Sequence, residues 1–155
     1  MQIKVTSYDH PDAAHLIDEA QQDELARYGD VDQTVVQPTE FAEPHGVFLV
    51  GYLDGAPVAC GGWRTNGPDA ELKRLYVVPA ARRRGLASAL LAELESSAQA
   101  AGRRRMILET GLRQPEALAL YRKAGYTRVE PFGYYASDPE TVHLGKLLNA
   151  DAEGE

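Results

Sequence analysis

Cysteine is almost absent from this chain: Cys60 is the only thiol in 155 residues, so no internal disulfide can form and a multi-cysteine metal site is excluded. Histidine is scarce too. His10, His15, His45 and His143 are scattered and do not restore a zinc pattern, so no metal is expected. No stretch approaches the ~18 apolar residues of a membrane span, and Met1 to Tyr8 lacks the basic-then-apolar order of a secretory leader. A cytoplasmic protein with no membrane partner is the expectation. The Gly-x-x-x-x-Gly-Lys-Ser/Thr and Gly-x-Gly-x-x-Gly loops are also missing, so ATP hydrolysis and dinucleotide binding lack their signatures. Neither a solenoid repeat nor a low-complexity tract is present, which leaves one domain over residues 1–155. A chain of this length buries roughly 70% of its unfolded surface and needs no covalent staple.

What is present is an uneven distribution of charge. The net −7 comes from 16 basic and 23 acidic side chains, yet residues 1–72 hold 3 basic and 13 acidic groups while residues 73–105 hold 8 and 2. The middle of the chain is a basic island. An acidic total argues against general nucleic-acid binding, and RNA on the arginines would have to show strongly salt-dependent affinity. A local cationic cluster suits a compact anion such as a phosphate-bearing ligand.

Ile3 and Val5 alternate with polar neighbours as a short strand, and His10-Pro11-Asp12 leads into a helix running to about Tyr28, with Gly29 as its stop. Asp30 to Gly46 reads as an irregular binding loop or cover with room for a short helix. Val47–Leu53 and Pro57–Trp63 flank Asp54-Gly55, a strong hairpin signal. Ala70–Val78 is a third sheet segment, stopped by Pro79. Between Gly85 and Ala101, Leu86, Leu90, Leu91, Leu94, Ala98 and Ala101 form one helical stripe, and Met106-Ile107-Leu108 follows as a buried strand. Strand, long helix, strand implies a parallel crossover. A further helix spans about Pro115 to Ala124, Thr127–Val129 and Thr141–Leu148 read as closing strands, and Asp151–Glu155 as a frayed end. The fold class is therefore α/β (α+β by some schemes): a mixed, mostly antiparallel sheet with a central β-α-β crossover flanked by helices.

The segment Arg82-Arg83-Arg84-Gly85-Leu86-Ala87 stands where a strand gives way to a helix. A helix N-terminus carries partial positive charge and unpaired N–H groups, so stability alone would place Asp, Glu, Ser or Thr there. Three arginines have the wrong sign. The conflict disappears if a polyanion binds to those amides, with Gly85 permitting close approach; the alternative is a solvated basic turn. Leu72 and Leu75 are three apart, so a regular strand points them to opposite faces, whereas Leu75 and Val77 share one. Either the strand slips phase near Arg74 through a bulge, or it is buried on both faces and needs no alternation.

Three motifs in order resemble the GNAT superfamily of N-acetyltransferases. Arg82–Ala87 is similar to its Arg/Gln-x-x-Gly-x-Gly/Ala pyrophosphate loop, Glu71-Leu72-Lys73-Arg74-Leu75-Tyr76-Val77-Val78-Pro79 to its fourth strand, and Ala117-Leu118-Ala119-Leu120-Tyr121-Arg122-Lys123-Ala124-Gly125-Tyr126 to its late helix and following strand. The likeness covers roughly residues 47–148; residues 1–46 match in outline. It implies acetyl-CoA as acyl donor and a bulged fourth strand that splays from the fifth to admit the pantetheine arm. Backbone groups of Leu75, Tyr76 and Val77 would meet the pantetheine and thioester, and Arg82, Arg83, Arg84, Gly85, Leu86 and Ala87 the pyrophosphate. Gln114 stands where an asparagine is frequent in the family.

The same resemblance makes Tyr121 the proton donor to the departing thiolate, a task suited to a phenol only modestly weaker as an acid than the thiol; its structural alternative is a core tyrosine sharing a stripe with Leu118. Glu71, eleven residues before Arg82, is the family-like candidate base, with solvent exposure on an edge strand as the alternative. Glu109, Tyr134 and Tyr135 are further candidates. Acidic residues crowd positions 18–43, which either attract a cationic amine or form a solvated face, and Phe132, Tyr134 and Tyr135 are candidate apolar walls. Arg103, Arg104 and Arg105 follow a helix C-terminus and read as structural. Cys60 reads as a small buried strand residue, and Trp63 as core or cleft lining. The expected activity is acetyl transfer from acetyl-CoA to a primary amine of a small or cationic acceptor; the alternative is a non-catalytic acyl-CoA sensor or interaction protein. A homodimer is compatible with either.

Overall fold

The computed structural model describes residues 1–148; the expected frayed end at Asp151–Glu155 lies outside the described residues. Seven strands form one sheet in the order β1-β2-β3-β4-β5-β7-β6. They are β1 (Gln2–Val5), β2 (Gly46–Leu53), β3 (Ala56–Asn66), β4 (Asp69–Val77), β5 (Arg105–Gly111), β6 (Thr127–Arg128) and β7 (Thr141–Leu147). Three helices accompany them: α1 (Pro11–Tyr28), α2 (Leu86–Ala100) and α3 (Pro115–Lys123). All adjacent pairs are antiparallel except β4 with β5, which α2 connects as the expected parallel crossover. No described helix is long and apolar enough to cross a membrane.

The near-continuous apolar run of β2 is explained by helices on both faces of the sheet. Val47 and Leu49 turn toward α2 and α3, where Leu90, Leu91, Leu94, Ala98, Leu118 and Tyr121 complete one core. Phe48 and Val50 turn the other way, against Ala13, Leu16 and Ile17 of α1 and Phe41 of a 3₁₀ turn at Pro38–Phe41. That turn is the short helix allowed for in the loop. Leu90 and Leu94 are fully buried, each gaining about 2 kcal/mol on leaving water. Trp63 belongs to the core, where its Nε1 donates to Ser97 Oγ at 3.1 Å. Cys60 is wholly buried and its thiol is pushed up to about 12 by burial, which removes it as a nucleophile at neutral pH.

Helix ends follow the sequence signals. Asp12 N–H donates to His10 Nδ1 at 3.0 Å to cap α1, and Gly29 closes it with φ 76°. At β5, tertiary structure extends the strand beyond the Met106–Leu108 apolar run to Arg105–Gly111, because β7 pairs with every residue from Arg105 to Gly111. Gly111 must lack a side chain: a Cβ there would collide with the Tyr28 hydroxyl, which lets the end of α1 lie over the end of β5. The arginines after α2 are structural, as expected. Arg104 and Arg105 bind buried Asp69 at 3.4 and 3.0 Å, Arg105 also pairs with Glu130, and Arg103 donates to Gly67 O.

Candidate active site

The parallel pairing of β4 with β5 is confined to Ala70↔Met106 and Glu71↔Ile107. From Leu72 onward β4 has no ladder on its β5 side, so the strands diverge. The cause is local: Arg74 takes φ 64°, and the β3–β4 register shifts between Cys60 and Gly62. Such a conformation is unfavourable for a residue with a Cβ and persists only where its surroundings hold it. Here the Arg74 carbonyl accepts from Cys60 Sγ at 3.3 Å, and its guanidinium donates to Tyr8 Oη and Asp32 Oδ2, both at 3.3 Å. The phase slip suggested by Leu72, Leu75 and Val77 is a bulge, and it opens a wedge between the strands.

A cavity of about 600 Å³ fills that wedge. Leu75, Tyr76 and Val77 border it along β4, Arg82, Arg83, Gly85, Leu86 and Ala87 at the start of α2, and Gln114 and Tyr121 from the other side. Ten of the twelve residues expected at the site thus surround one space. Arg84 is exposed and does not line it. Glu71 does not line it either.

The loop at the start of α2 has a geometry that suits an anion. Arg83 and Gly85 both lie in the left-handed region, with φ 66° and 75°, and the first helical hydrogen bond runs from Ala89 N to Gly85 O. The amides of Gly85 to Ser88 therefore start the helix without intrahelical partners, α2 has no side-chain cap, and its first turn has no acidic residue. A Cβ on Gly85 would meet nothing within 4 Å, so the approach is open. Arg82 donates from Nε to Val77 O at 3.0 Å and lies 5.7 Å from the Tyr76 ring centroid, which fixes it at the rim. Neither Arg83 nor Arg84 has an ion-pair partner among the described residues. The cradle suits a diphosphate.

Tyr121 is 7% exposed, stacks edge-on against Tyr126 at 5.7 Å and faces the cavity. Burial raises its pKa, so the phenol keeps its proton at neutral pH. Its hydroxyl has no protein hydrogen-bond partner among the described residues. Tyr121 is thus a core residue, as its structural alternative has it, that also forms part of the cavity wall.

Glu71 is not a solvent-facing residue of an edge strand. β4 is central, not an edge, and the carboxylate is sealed: Oε1 accepts from Arg64 Nε and Asn66 Nδ2, both at 3.3 Å. Lys73, only 4% exposed, lies between Glu71 at 3.9 Å, Glu109 at 3.7 Å and Asp32 at 3.1 Å. Of the two glutamates, Glu109 is the one that borders the cavity. Its Oε2 lies 3.3 Å from His143 Nε2, but that nitrogen is 3.0 Å from the Phe132 carbonyl and so donates there, leaving Oε2 buried without a hydrogen bond. Burial raises the Glu109 pKa, offset in part by Lys73. For Asp32 the balance reverses: burial alone would raise its pKa, but Lys73, the Thr34 amide and Arg74 hold it below the usual range.

Beyond Glu109 a second cavity of about 420 Å³ opens, sharing Glu24, Asp32, Glu109, Thr110 and Gln114 with the first. Tyr134 and Tyr135 line it as expected; Phe132 does not, its ring packing on His143 at 5.0 Å instead. Lys73, Asp32 and Glu24 were not singled out as site residues. A charged pair inside a central strand is a usable signal for Lys73; Asp32 and Glu24 carry only the collective signal of the acidic crowding at positions 18–43.

The GNAT acetyltransferase family model matches residues 13–126. An "IAA acetyltransferase" of Azospirillum brasilense is 40% identical over 109 residues, covering 69% of this chain and 71% of that protein. A putative acyl-CoA N-acyltransferase from Klebsiella pneumoniae superposes with a TM-score of 0.78 at 29% identity, over 95% of this chain and 97% of the other. The PaiA N-acetyltransferase of Thermoplasma acidophilum, solved with coenzyme A, gives 0.72 at 17% identity over 95% and 99%, a likeness of fold. With a wedge, an amide cradle and a family match over most of its length, this chain belongs to the GNAT acetyltransferases, whose general reaction is acyl transfer from acyl-CoA.

Proposed function

We propose that the protein transfers an acetyl group from acetyl-CoA to a primary amine by direct attack, with Tyr121 as acid and Glu109 as base. The observation that supports this most is a cavity bordered by both a neutral phenol and a buried carboxylate with an unpaired oxygen. The donor supplies an activated acyl carbon on a thiol leaving group. Arg82, Arg83 and the amides at Gly85–Ala87 hold its diphosphate, and the β4 edge at Leu75–Val77 offers backbone groups to its amide arm.

As the amine nitrogen bonds to the acyl carbon, the carbon–sulfur bond breaks. Tyr121 donates its hydroxyl proton to the departing thiolate and recovers one from solvent, while Glu109 accepts a proton from the amine nitrogen. The raised pKa of Glu109 suits a base working near neutral pH. Glu71 is left with a structural part, holding Arg64, which also binds Glu40 at 3.1 Å and the Val35 carbonyl at 2.9 Å and so pins the loop before β2.

The test is release of free CoA from acetyl-CoA with a panel of amines, alongside acetyl-CoA binding by calorimetry. Acetylated product and stoichiometric thiol support the proposal. Binding with no turnover on any amine favours the sensor reading instead.

A further inference from the structure

Acetyl transfer by itself does not explain the second cavity. Six carboxylates line it, Glu24, Asp30, Asp32, Glu109, Asp138 and Glu140, and no Lys, Arg or His does. Three of the six are met by cations from outside the cavity, Asp32 by Lys73 and Arg74, Glu109 by Lys73 at 3.7 Å and Glu140 by Arg113 at 2.8 Å. Glu24, Asp30 and Asp138 have no ion-pair partner among the described residues. No group of three or more side chains in the described residues is arranged to hold a metal ion.

Acidic loops are often only solvated surface, but Glu109 is not on the surface. Its side chain is 7% exposed and borders both cavities, held between Lys73 at 3.7 Å and His143 at 3.3 Å, with Oε2 buried and without a hydrogen bond. The far end of the cavity is built as well. Gln33 N–H donates to Tyr135 Oη at 2.7 Å, joining the loop that carries Asp30 to the loop that carries Asp138, and Tyr134 packs on Tyr135 at 4.9 Å. Tyrosine faces beside unpaired carboxylates are the surroundings an ammonium group prefers.

We infer that the acceptor carries at least two amino groups, one attacked beside Glu109 and a second held, still protonated, at the end of the cavity formed by Asp30, Asp138 and the tyrosines. The inference rests on the acetyltransferase reading and adds the acceptor class to it. An acceptor bearing a carboxylate is disfavoured, because it would sit among uncompensated like charges.

Diaminobutane, butylamine and aminobutyrate share a four-carbon chain and separate these cases. With acetyl-CoA saturating, the diamine should exceed butylamine in kcat/KM by about tenfold or more, with aminobutyrate slowest. In the Asp30→Asn/Asp138→Asn protein that lead should shrink by about tenfold, mostly through KM, and raising the ionic strength should narrow it in the native protein. Should the double variant not fold, Asp30→Asn alone and the salt dependence read the same interaction. Equal rates for diamine and butylamine, a preference for aminobutyrate, or no turnover of any of the three overturns the inference. Acetyl-CoA binding, measured separately by calorimetry, tells whether the acetyltransferase reading falls with it: binding with a different acceptor preference leaves that reading standing, and no binding removes both.

Discussion

The two cavities share Glu24, Asp32, Glu109, Thr110 and Gln114, yet their far ends are opposite in charge. One ends in Arg82, Arg83 and a run of bare helix amides; the other is lined by six carboxylates and no cation. A reaction between an anionic donor and a cationic acceptor needs such an arrangement, because each substrate is drawn to its own side and repelled from the other. The difference teaches that a net charge of −7 describes neither place.

Removing the positive side should have the largest effect. Arg82→Glu/Arg83→Glu should weaken acetyl-CoA binding by about 10²–10³-fold in calorimetry, while the melting point without ligand moves little, since exposed charges at a helix start contribute below about 1 kcal/mol each. If the unliganded variant unfolds, the arginines are structural and the contrast between the cavities is lost.

Next comes the junction itself. Glu109→Gln should lower kcat/KM about 10²-fold near neutral pH, within the range of a general base. The sign with pH follows from its raised pKa: activity should rise as the carboxylate ionises, on a limb displaced upward from the ordinary glutamate range, and Glu109→Gln should abolish that limb. Lys73, Asp32, Glu71 and His143 face the same carboxylate, so the midpoint belongs to the cluster. Stability runs the other way. A carboxylate whose folded pKa exceeds its unfolded value loses stability as pH rises through that window, so Glu109→Gln should melt higher than the native protein at neutral pH and equal it in acid.

Tyr121→Phe should reduce kcat by about tenfold with little change in acetyl-CoA affinity, because thiolate is a fair leaving group and the ring still fills its place in the core. Unaltered turnover would leave only the packing role. The smallest effect on chemistry belongs to Glu71→Ala. It should cost about 1–3 kcal/mol of stability in denaturant unfolding, because Arg64 loses its buried carboxylate but keeps Glu40 and the Val35 carbonyl, while the pH limb of the remaining activity persists, moved to lower pH by the loss of a neighbouring negative charge. Loss of that ascending limb in this variant would assign the proton to Glu71.

Much of this arrangement is legible along the chain. The Asp54-Gly55 hairpin, the apolar stripe of α2, the crossover and the misplaced arginines are all local patterns, and three motifs in order pointed to the loop at Arg82–Ala87 and to Tyr121, which the fold brings to one cavity. The alternation break at Leu72 and Leu75 allowed a bulge near Arg74 or a strand buried on both faces, and the φ of Arg74 with the β3–β4 register shift decides for the bulge. The acidic crowding at positions 18–43 hinted at the second cavity without showing which of its members enter it.

By itself, then, the sequence determined the elements, their order and the wrong-signed helix start, because each depends on residues within a few positions of one another. Only the tertiary structure decided which of the two buried glutamates borders the cavity. Glu71 and Glu109 both lie on strands at the same junction, and their difference comes from Arg64 and Asn66 reaching one, and from the splay of β4 baring the other. It also brought Asp32 to Lys73 and Tyr135 to Gln33, contacts spanning 41 and 102 residues. A one-dimensional pattern carries periodicity, and periodicity selects a face; what stands opposite that face is a property of the folded chain.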